Sequence, residues 1–301
     1  MTRAGGGALL VVGDVVTDVV ARHRGALASG TDTVAAIRTV PGGAGANVAC
    51  WAVRWGCRDV TLLGRVGADA ARWHEEALVR AGVRPRLVVD AQAPTGSVIC
   101  LVDAEHGAER TFLTDSGACL RIGPADWSAA YLDGVDWLHL SGYLFFSATG
   151  RELVAAALGD ARARGVPVSV DPASAGFLRE WGPERFLALA DGVDVLVPSR
   201  DEAALLTGAG DVEAAGSKLS GRFATVVVKA GAAGALVARA GLVRERVAAV
   251  PDVTVRDSTG AGDAFTGALL AARLRGDGWR EAVTEACRAG ALAVGRVGGR
   301  P

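Results

Sequence analysis

Near the carboxyl end of the chain lies Asp257-Ser-Thr-Gly-Ala-Gly-Asp263-Ala-Phe-Thr-Gly267, which runs into the helix-forming stretch Ala268-Leu-Leu-Ala-Ala-Arg273. Gly260 and Gly262 precede that helix, and the lack of side chains there lets backbone N–H groups converge. These N–H groups and the positive end of the helix predict an anion-binding site. Asp263 would repel an anion, so its position favours a general base acting on a hydroxyl. The simpler alternative is a first-turn carboxylate in a glycine-rich turn.

A second glycine-rich segment, Pro41-Gly-Gly-Ala-Gly-Ala-Asn47-Val-Ala49, also precedes a predicted helix. Its glycines would let a ligand approach the backbone, and the Asn47 amide offers both a donor and an acceptor, which suits sugar hydroxyls. Neither glycine-rich segment has the GxGxxG spacing of dinucleotide-binding folds, and neither continues into the Gly-Lys-Ser/Thr of a P-loop. The sequence therefore argues against a nicotinamide-type dinucleotide-binding enzyme and against a P-loop NTPase.

Short apolar strands alternate along the chain with Ala/Leu/Arg segments of helical spacing. This pattern predicts one α/β domain over residues 1–301, with a doubly wound, mainly parallel sheet and helices on both faces. Two stretches, 18–40 and 87–116, contain alternating strand-forming residues without helices between them. We interpret them as hairpins that form a small β lid over one edge of the domain, where a lid would exclude water from a site beneath it.

Composition excludes several classes of protein. The 301 residues carry a net charge of −1, with no basic excess that would indicate nucleic acid or an anionic membrane surface. No apolar stretch reaches the length of a membrane span. The five cysteines are scattered and contain no CxxC pair, so the sequence predicts a cytoplasmic protein without disulfides or a zinc site.

The two glycine-rich segments resemble the paired signatures of the PfkB (ribokinase-like) carbohydrate kinase family, in the same order and about 210 residues apart. The resemblance covers essentially the whole chain. It implies that Asp263 is the catalytic base and that the backbone N–H groups of Gly260, Ala261 and Gly262 form the anion hole. It further implies that the acceptor sugar is bound by Asp14, Gly42, Gly43 and Asn47.

The resemblance also implies ATP and Mg²⁺ as cofactors. The family's ATP-bordering element matches Lys229, Gly231 and Gly234, although the family often has threonine where this chain has Lys229. The family's Asn-x-x-Glu element, which organises magnesium through water, is here Ser199-Arg-Asp-Glu202, and Ser-x-x-Glu is equally a helix capping box. Asp257 and Thr259 resemble residues around the potassium site of ribokinases.

These observations predict an ATP-dependent sugar kinase that phosphorylates a hydroxyl of a small sugar or sugar acid. Arg110, in the predicted lid, is a candidate to fold over the substrate, and a solvent-exposed hairpin arginine is the alternative. Two other functions stay open: a nucleoside kinase of the same superfamily and a non-catalytic sugar- or nucleotide-sensing protein. The identity of the sugar, the need for potassium and a homodimer through the lid also stay open at this stage.

Overall fold

The computed structural model describes residues 7–103 and 110–301, with the side chain of Arg110 left out of the description. Its strands are β1 (Ala8–Val12), β2 (Val16–His23), β3 (Ala35–Gly42), β4 (Asp59–Gly67), β5 (Arg84–Asp90), β6 (Thr95–Asp103), β7 (Arg110–Gly117), β8 (Trp137–Ser141), β9 (Val168–Asp171), β10 (Val195–Leu196), β11 (Thr225–Lys229), β12 (Ala235–Arg239) and β13 (Leu242–Val247). Its α-helices are α1 (Ala44–Arg54), α2 (Ala71–Arg80), α3 (Ala148–Arg164), α4 (Ala175–Trp181), α5 (Pro183–Leu189), α6 (Arg200–Thr207), α7 (Val212–Leu219), α8 (Ala261–Leu274) and α9 (Trp279–Val294).

The main sheet has the order β13-β12-β11-β10-β9-β8-β1-β4-β5. Neighbouring strands from β11 to β5 are parallel, and β12 and β13 add an antiparallel edge. Alternate residues of β1 face opposite layers. Leu10 and Val12 belong to the buried cluster that includes α3, whereas Leu9 and Val11 belong to the cluster with α1, α8 and α9. Such burial on both faces explains the near-continuous apolar strands and confirms the doubly wound prediction.

The second sheet has four strands in the order β3-β2-β6-β7. It consists of two antiparallel hairpins, β2–β3 and β6–β7, joined by the parallel pairing of β2 with β6. The sequence places the second lid segment at 87–116, but residues 87–90 belong to β5, which pairs with β4 in the main sheet. The alternation in β5 arises because one face of this edge strand is covered and the other faces solvent, a pattern that cannot be distinguished by sequence from a lid hairpin.

In the described residues, no helix is long and apolar enough to cross a membrane.

Candidate active site

A cavity of about 1120 Å³ lies between the carboxyl ends of the main-sheet strands and the inner face of the small sheet. Asp18, Val98, Phe112 and Thr114 line it from the small sheet, and the loops after β1, β8, β9, β10 and β11 contribute to its other walls. In an open α/β sheet this edge is where ligands bind. The cavity therefore coincides with the edge that the sequence predicts to carry the site.

Asp263 lies in the first turn of α8, as predicted, and its carboxyl opens on this cavity. The Nδ2 group of Asn47 donates a hydrogen bond of 2.8 Å to its Oδ2 atom. The two glycine-rich segments, 216 residues apart, thus meet in one contact. Burial, together with the charges of Asp171 and Asp14, raises the pKa of Asp263 to about 7, against the lowering effects of Asn47 and Lys229. A carboxylate with a pKa near neutrality is well matched to general-base chemistry.

The turn before α8 has the geometry of an anion site. Gly260 adopts a φ of +73°, and a Cβ atom on it would lie 2.4 Å from the Cα of Gly299. Glycine is therefore required twice over, by its left-handed conformation and by the close approach of another backbone. The helix begins at Ala261, whose N–H donates a 3.3 Å bond to the Ser258 carbonyl oxygen, while the N–H groups of Gly262 and Asp263 have no acceptor in a preceding turn.

Asp14 follows β1 and uses both carboxylate oxygens within the protein. Its Oδ2 accepts a bond of 2.6 Å from the Ala44 N–H, while its Oδ1 accepts 3.2 Å and 2.8 Å bonds from the Gly45 N–H and the Ser141 hydroxyl. Asp14 therefore caps the start of α1, which Gly43 makes accessible through a φ of +98°. Asp14 also lines the cavity. Its direct contact with the substrate stays a prediction.

Asp18 is a cavity-lining acid that the sequence places, with Asp14, at the rim of the sheet after the first strand, but to which no motif assigns a role. It lies on the inner face of β2, and within 7–103 and 110–301 no group donates a hydrogen bond to its carboxyl. Burial and the charge of Asp14 raise its pKa to about 7. Gly42 lies directly against it, since a Cβ atom there would be 2.2 Å from Asp18 Oδ2. The available signal was an acidic residue at an inward position of an alternating strand, Val16-Thr-Asp18-Val-Val20.

Lys229 ends β11, and its side chain extends toward Gly260, Ala261 and Gly262, the segment we call the anion loop. Its Nζ lies 2.5 Å from Asp171 Oδ2, and the same carboxylate oxygen accepts a 2.8 Å bond from the Thr266 hydroxyl. A Cβ atom on Gly262 would lie 3.4 Å from the Lys229 Nζ. Burial alone would lower the pKa of Lys229, but the charges of Asp171 and Glu202 raise it above its ordinary value. The site therefore holds a permanent cation beside the anion loop.

Ser199 and Glu202 form the capping box that their spacing predicts. The Glu202 carboxylate accepts a 2.7 Å bond from the Ser199 N–H, and the Ser199 hydroxyl accepts a 3.3 Å bond from the Glu202 N–H. Both residues also line the cavity. Burial raises the pKa of Glu202, and nearby Lys229 opposes this. The capping role and a contact with a metal-bound water are compatible, because a carboxylate has four acceptor positions.

The remaining predicted residues lie around this centre. The Asp257 carboxylate accepts bonds from the N–H groups of Thr259 (2.9 Å) and Gly298 (3.0 Å). Gly231 lines the cavity with a φ of +59°, whereas Gly234 serves the turn into β12, because a Cβ atom there would lie 2.0 Å from the Val247 carbonyl oxygen. The backbone of Arg110 begins β7, and its side chain lies outside the described residues. No cluster of three or more metal-ligating side chains occurs in the part of the chain that the structure describes.

An aromatic wall is a feature that the sequence prediction missed. Phe146 stacks on Phe177 with ring centroids 5.1 Å apart, and Tyr143 packs edge-on against both rings. All three side chains are half-buried and line the cavity, opposite Phe112 of the small sheet. The scattered aromatics of the sequence gave no periodic pattern, because the wall combines the loop after β8 with helix α4.

Comparisons with known proteins agree with this geometry. The model of the pfkB family carbohydrate kinases matches residues 8–301. A fructokinase from Klebsiella pneumoniae is 32% identical over 277 residues, which cover 88% of this chain and 84% of the relative. A 2-dehydro-3-deoxygluconokinase from Thermoproteus tenax is 35% identical over 261 residues, which cover 84% and 79% respectively.

A solved structure of an Escherichia coli protein described as ribokinase II, in complex with ATP and Mg²⁺, has a TM-score of 0.85 and 26% identity, and covers 97% of this chain and 94% of that one. The fold is also that of an adenosine kinase from Sinorhizobium meliloti, with a TM-score of 0.86, 22% identity, and coverage of 99% of this chain and 96% of that one. The chain therefore belongs to the pfkB family of carbohydrate kinases, and it is a phosphotransferase that acts on a sugar hydroxyl.

Proposed function

We propose that Asp263 is the general base of the phosphoryl transfer. The observation that carries this role is its carboxyl at the start of α8, open to the cavity and bonded to Asn47 at 2.8 Å. Asp263 accepts the proton of the acceptor hydroxyl as the oxygen forms its bond to the γ-phosphorus and the bond to the β–γ bridging oxygen breaks. Because the Asn47 amide holds the Asp263 carboxyl, the glycine-rich segment that contains Asn47 also orients the base.

The charge that develops on the transferred group is taken by the anion loop. The N–H groups at Gly260, Ala261 and Gly262 lie at the positive end of α8, where they are already oriented before the reaction. Lys229 supplies a full positive charge on the same side, close to Gly262. Its contact with Asp171 keeps it in place when the cavity is empty of phosphate and limits its repulsion of Mg²⁺.

The donor set of the cavity fits a magnesium–nucleotide complex. Carboxylate oxygen is a hard ligand of the kind Mg²⁺ prefers, and Glu202 brings one to the cavity beside Ser199. When bound, Mg²⁺ neutralises charge between the β- and γ-phosphates. Glu202 would hold it through water, with Gly231 and Gly234 shaping the nucleotide border. Asp257 and Thr259 are the residues we assign to a potassium site, since the Asp257 carboxylate already orders the turn before Gly260.

The acceptor we propose is a small sugar or sugar acid. Asp18, Gly43 and Asn47 border the cavity on the side of the small sheet, and Asp14 closes it from below. Sugar hydroxyls need paired donors and acceptors, which these carboxyl, amide and backbone groups provide. The relatives named fructokinase and 2-dehydro-3-deoxygluconokinase favour this class of substrate. We also assign Arg110 to the substrate side of the lid, from its position at the start of β7.

A second candidate substrate is a nucleoside. The aromatic wall of Tyr143, Phe146 and Phe177 faces the same cavity and offers flat apolar rings on which a nucleoside base would stack. A relative named aminoimidazole riboside kinase, 30% identical over 268 residues, favours the same possibility.

An ADP-release assay across ribose, fructose, 2-dehydro-3-deoxygluconate and nucleosides, with and without potassium, tests the proposed function. Turnover with a sugar and its loss in Asp263→Asn are the expected results. Asp201→Asn is a matched control, because Asp201 is also a first-turn carboxylate but is exposed on α6. If no acceptor in the panel is phosphorylated, the kinase assignment fails and a sensing protein is favoured. If Asp263→Asn turns over as fast as the native enzyme, Asp263 is not the base.

Two further expectations accompany the function. The five cysteines are free thiols, which favours a reducing compartment such as the cytoplasm. The chain is also expected to form a homodimer through the outer face of the small sheet, because Ile37, Ile99 and Leu113 are exposed there.

A further inference from the structure

The guanidinium of Arg300 lies against Gly42, the last residue of β3. Its Nη2 donates a 2.9 Å hydrogen bond to the Gly42 carbonyl oxygen. Its Nε and Nη1 atoms are also buried, and neither has a hydrogen-bond partner in the described part of the chain. Burial lowers the pKa of Arg300, yet an arginine keeps its charge in proteins. A buried cation with so few acceptors is costly, so its charge requires a compensating interaction.

The backbone of residues 298–300 fixes where this cation lies. The Gly298 N–H donates to Asp257 at 3.0 Å, and the Gly299 carbonyl oxygen accepts a 2.8 Å bond from the Trp51 indole. Gly299 packs so closely that a Cβ atom there would lie 2.4 Å from Asn47 Nδ2. The same residue touches Gly260 of the anion loop. The segment is thus wedged between the two glycine-rich motifs.

The acids whose charges act on Arg300 are Asp18 and Asp14, and the buried Cys50 thiol lies close to it as well. The carbonyl of Gly42 binds Arg300, and the Cα of Gly42 lies directly against the Asp18 carboxyl. Asp14 and Asp257 also face Asp18 and raise its pKa, in addition to burial, while the charge of Arg300 lowers it. His74, which contacts Thr17 on the same strand, adds no charge, because burial holds its pKa at about 4. Arg300 is therefore the cation that opposes burial and two acids at this carboxyl.

We propose that Arg300 is a positioning residue for the acceptor sugar, which holds the Gly42 peptide in place and favours the carboxylate form of Asp18. An ionised carboxyl can accept hydrogen bonds from two neighbouring sugar hydroxyls, whereas a protonated one must spend an oxygen as a donor. This role rests on the proposed function in one respect, namely that the sugar binds on the side of the cavity where Asp18 lies. Arg300 acts through Asp18 and Gly42 and does not touch the reacting atoms.

Two substitutions separate charge from hydrogen bonding. Arg300→Gln keeps an N–H donor for the Gly42 oxygen but removes the charge, and Arg300→Lys keeps the charge. Carboxyl NMR of ¹³C-aspartate-labelled protein, with Asp18→Asn for assignment, gives the pKa of Asp18 directly. We expect Arg300→Gln to raise that pKa by about one pH unit or more, and Arg300→Lys to leave it close to the native value. An unchanged Asp18 pKa in folded Arg300→Gln would overturn the proposal.

The kinetic counterpart uses D-fructose as the probe at pH 7. Arg300→Gln should raise KM for fructose about tenfold and leave kcat and KM for ATP within about twofold, because the sugar contacts that weaken are made equally in the ground state and the transition state. Arg296→Met, an exposed arginine just before the segment, is the matched control. An equal loss of kcat and ATP affinity would indicate a merely structural role. If the native protein phosphorylates no sugar, the proposed function fails, but the NMR titration still decides the role of Arg300.

Discussion

Replacing Asp263 with asparagine is expected to slow the enzyme and, above neutral pH, to stabilise it. Burial raises the pKa of Asp263 from 3.8 to about 7, so the folded protein holds this proton more tightly than the unfolded chain does. Stability conferred by such a group is present at low pH and declines as the pH rises through the interval from about 4 to about 7. Asparagine has no proton to lose, and its amide oxygen can still accept the bond from Asn47.

The size of the effect follows from the pKa values. At 1.36 kcal/mol per pH unit, the difference between 3.8 and about 7 corresponds to about 4 kcal/mol at pH 8. Asp263 is only half-buried, because its carboxyl opens on the cavity, so solvent screening reduces the expected gain to about 2 kcal/mol. For a chain of this length, that gain corresponds to a rise in Tm of about 3 °C.

The assay is thermal unfolding of native protein and Asp263→Asn at pH 5 and pH 8, together with kcat. We expect the Tm advantage of Asp263→Asn to grow from pH 5 to pH 8, and kcat to fall by at least about 10²-fold. The exposed Asp201→Asn should show neither effect. A Tm difference that is independent of pH, or a variant less stable than native at pH 8, would refute the electrostatic reasoning even if activity is lost.

Three other perturbations test the rest of the site. Lys229→Met should lower kcat about 10²-fold, because a charge beside the anion loop is lost, and Lys229→Arg should recover part of it; equal activity in both variants would exclude a role for that charge. Gly260→Ala should cost about 1–3 kcal/mol and most of the activity, since its Cβ would meet the Gly299 backbone, whereas Gly276→Ala has similar left-handed strain (φ +93°) without a clash and should retain activity. Finally, kcat should rise with pH around 7 as Asp263 loses its proton, and a flat profile from pH 5 to 9 would contradict its role as base.

Local patterns carried much of this structure. The glycines before α8 marked a helix that begins at Ala261, and Ser199 with Glu202 formed the capping box their spacing predicts. Such features depend on residues a few positions apart, where backbone geometry and side-chain reach are known in advance. The alternation of strands and helices gave the doubly wound sheet for the same reason.

Long-range contacts were beyond this reasoning. The contact of Asn47 with Asp263 spans 216 residues, and the two motifs could be paired only through the family resemblance. Asp18 and the aromatic wall come together only because the fold lines one cavity with them. Arg300 reaches Gly42 only because residues 298–300 pack between the two glycine-rich segments. Residues 87–90 have lid-like alternation, but pairing with β4 places them in the main sheet. Which strands pair, and which charged side chains are buried, depends on contacts between distant parts of the chain, so local sequence patterns do not predict them.

The carboxylate of Asp14 has a mechanical consequence for the small sheet. Asp14 lies between β1 and β2, and it binds the N–H groups of Ala44 and Gly45, which come just after β3. The entry and the exit of the first hairpin are therefore pinned at a single point. A hairpin held at its base in this way can rotate about that point, so any displacement would be largest at its far end, near residues 24–34. Because Asn47 lies on the helix that Asp14 caps, we expect the 2.8 Å contact between Asn47 and Asp263 to persist if the far end of the hairpin moves.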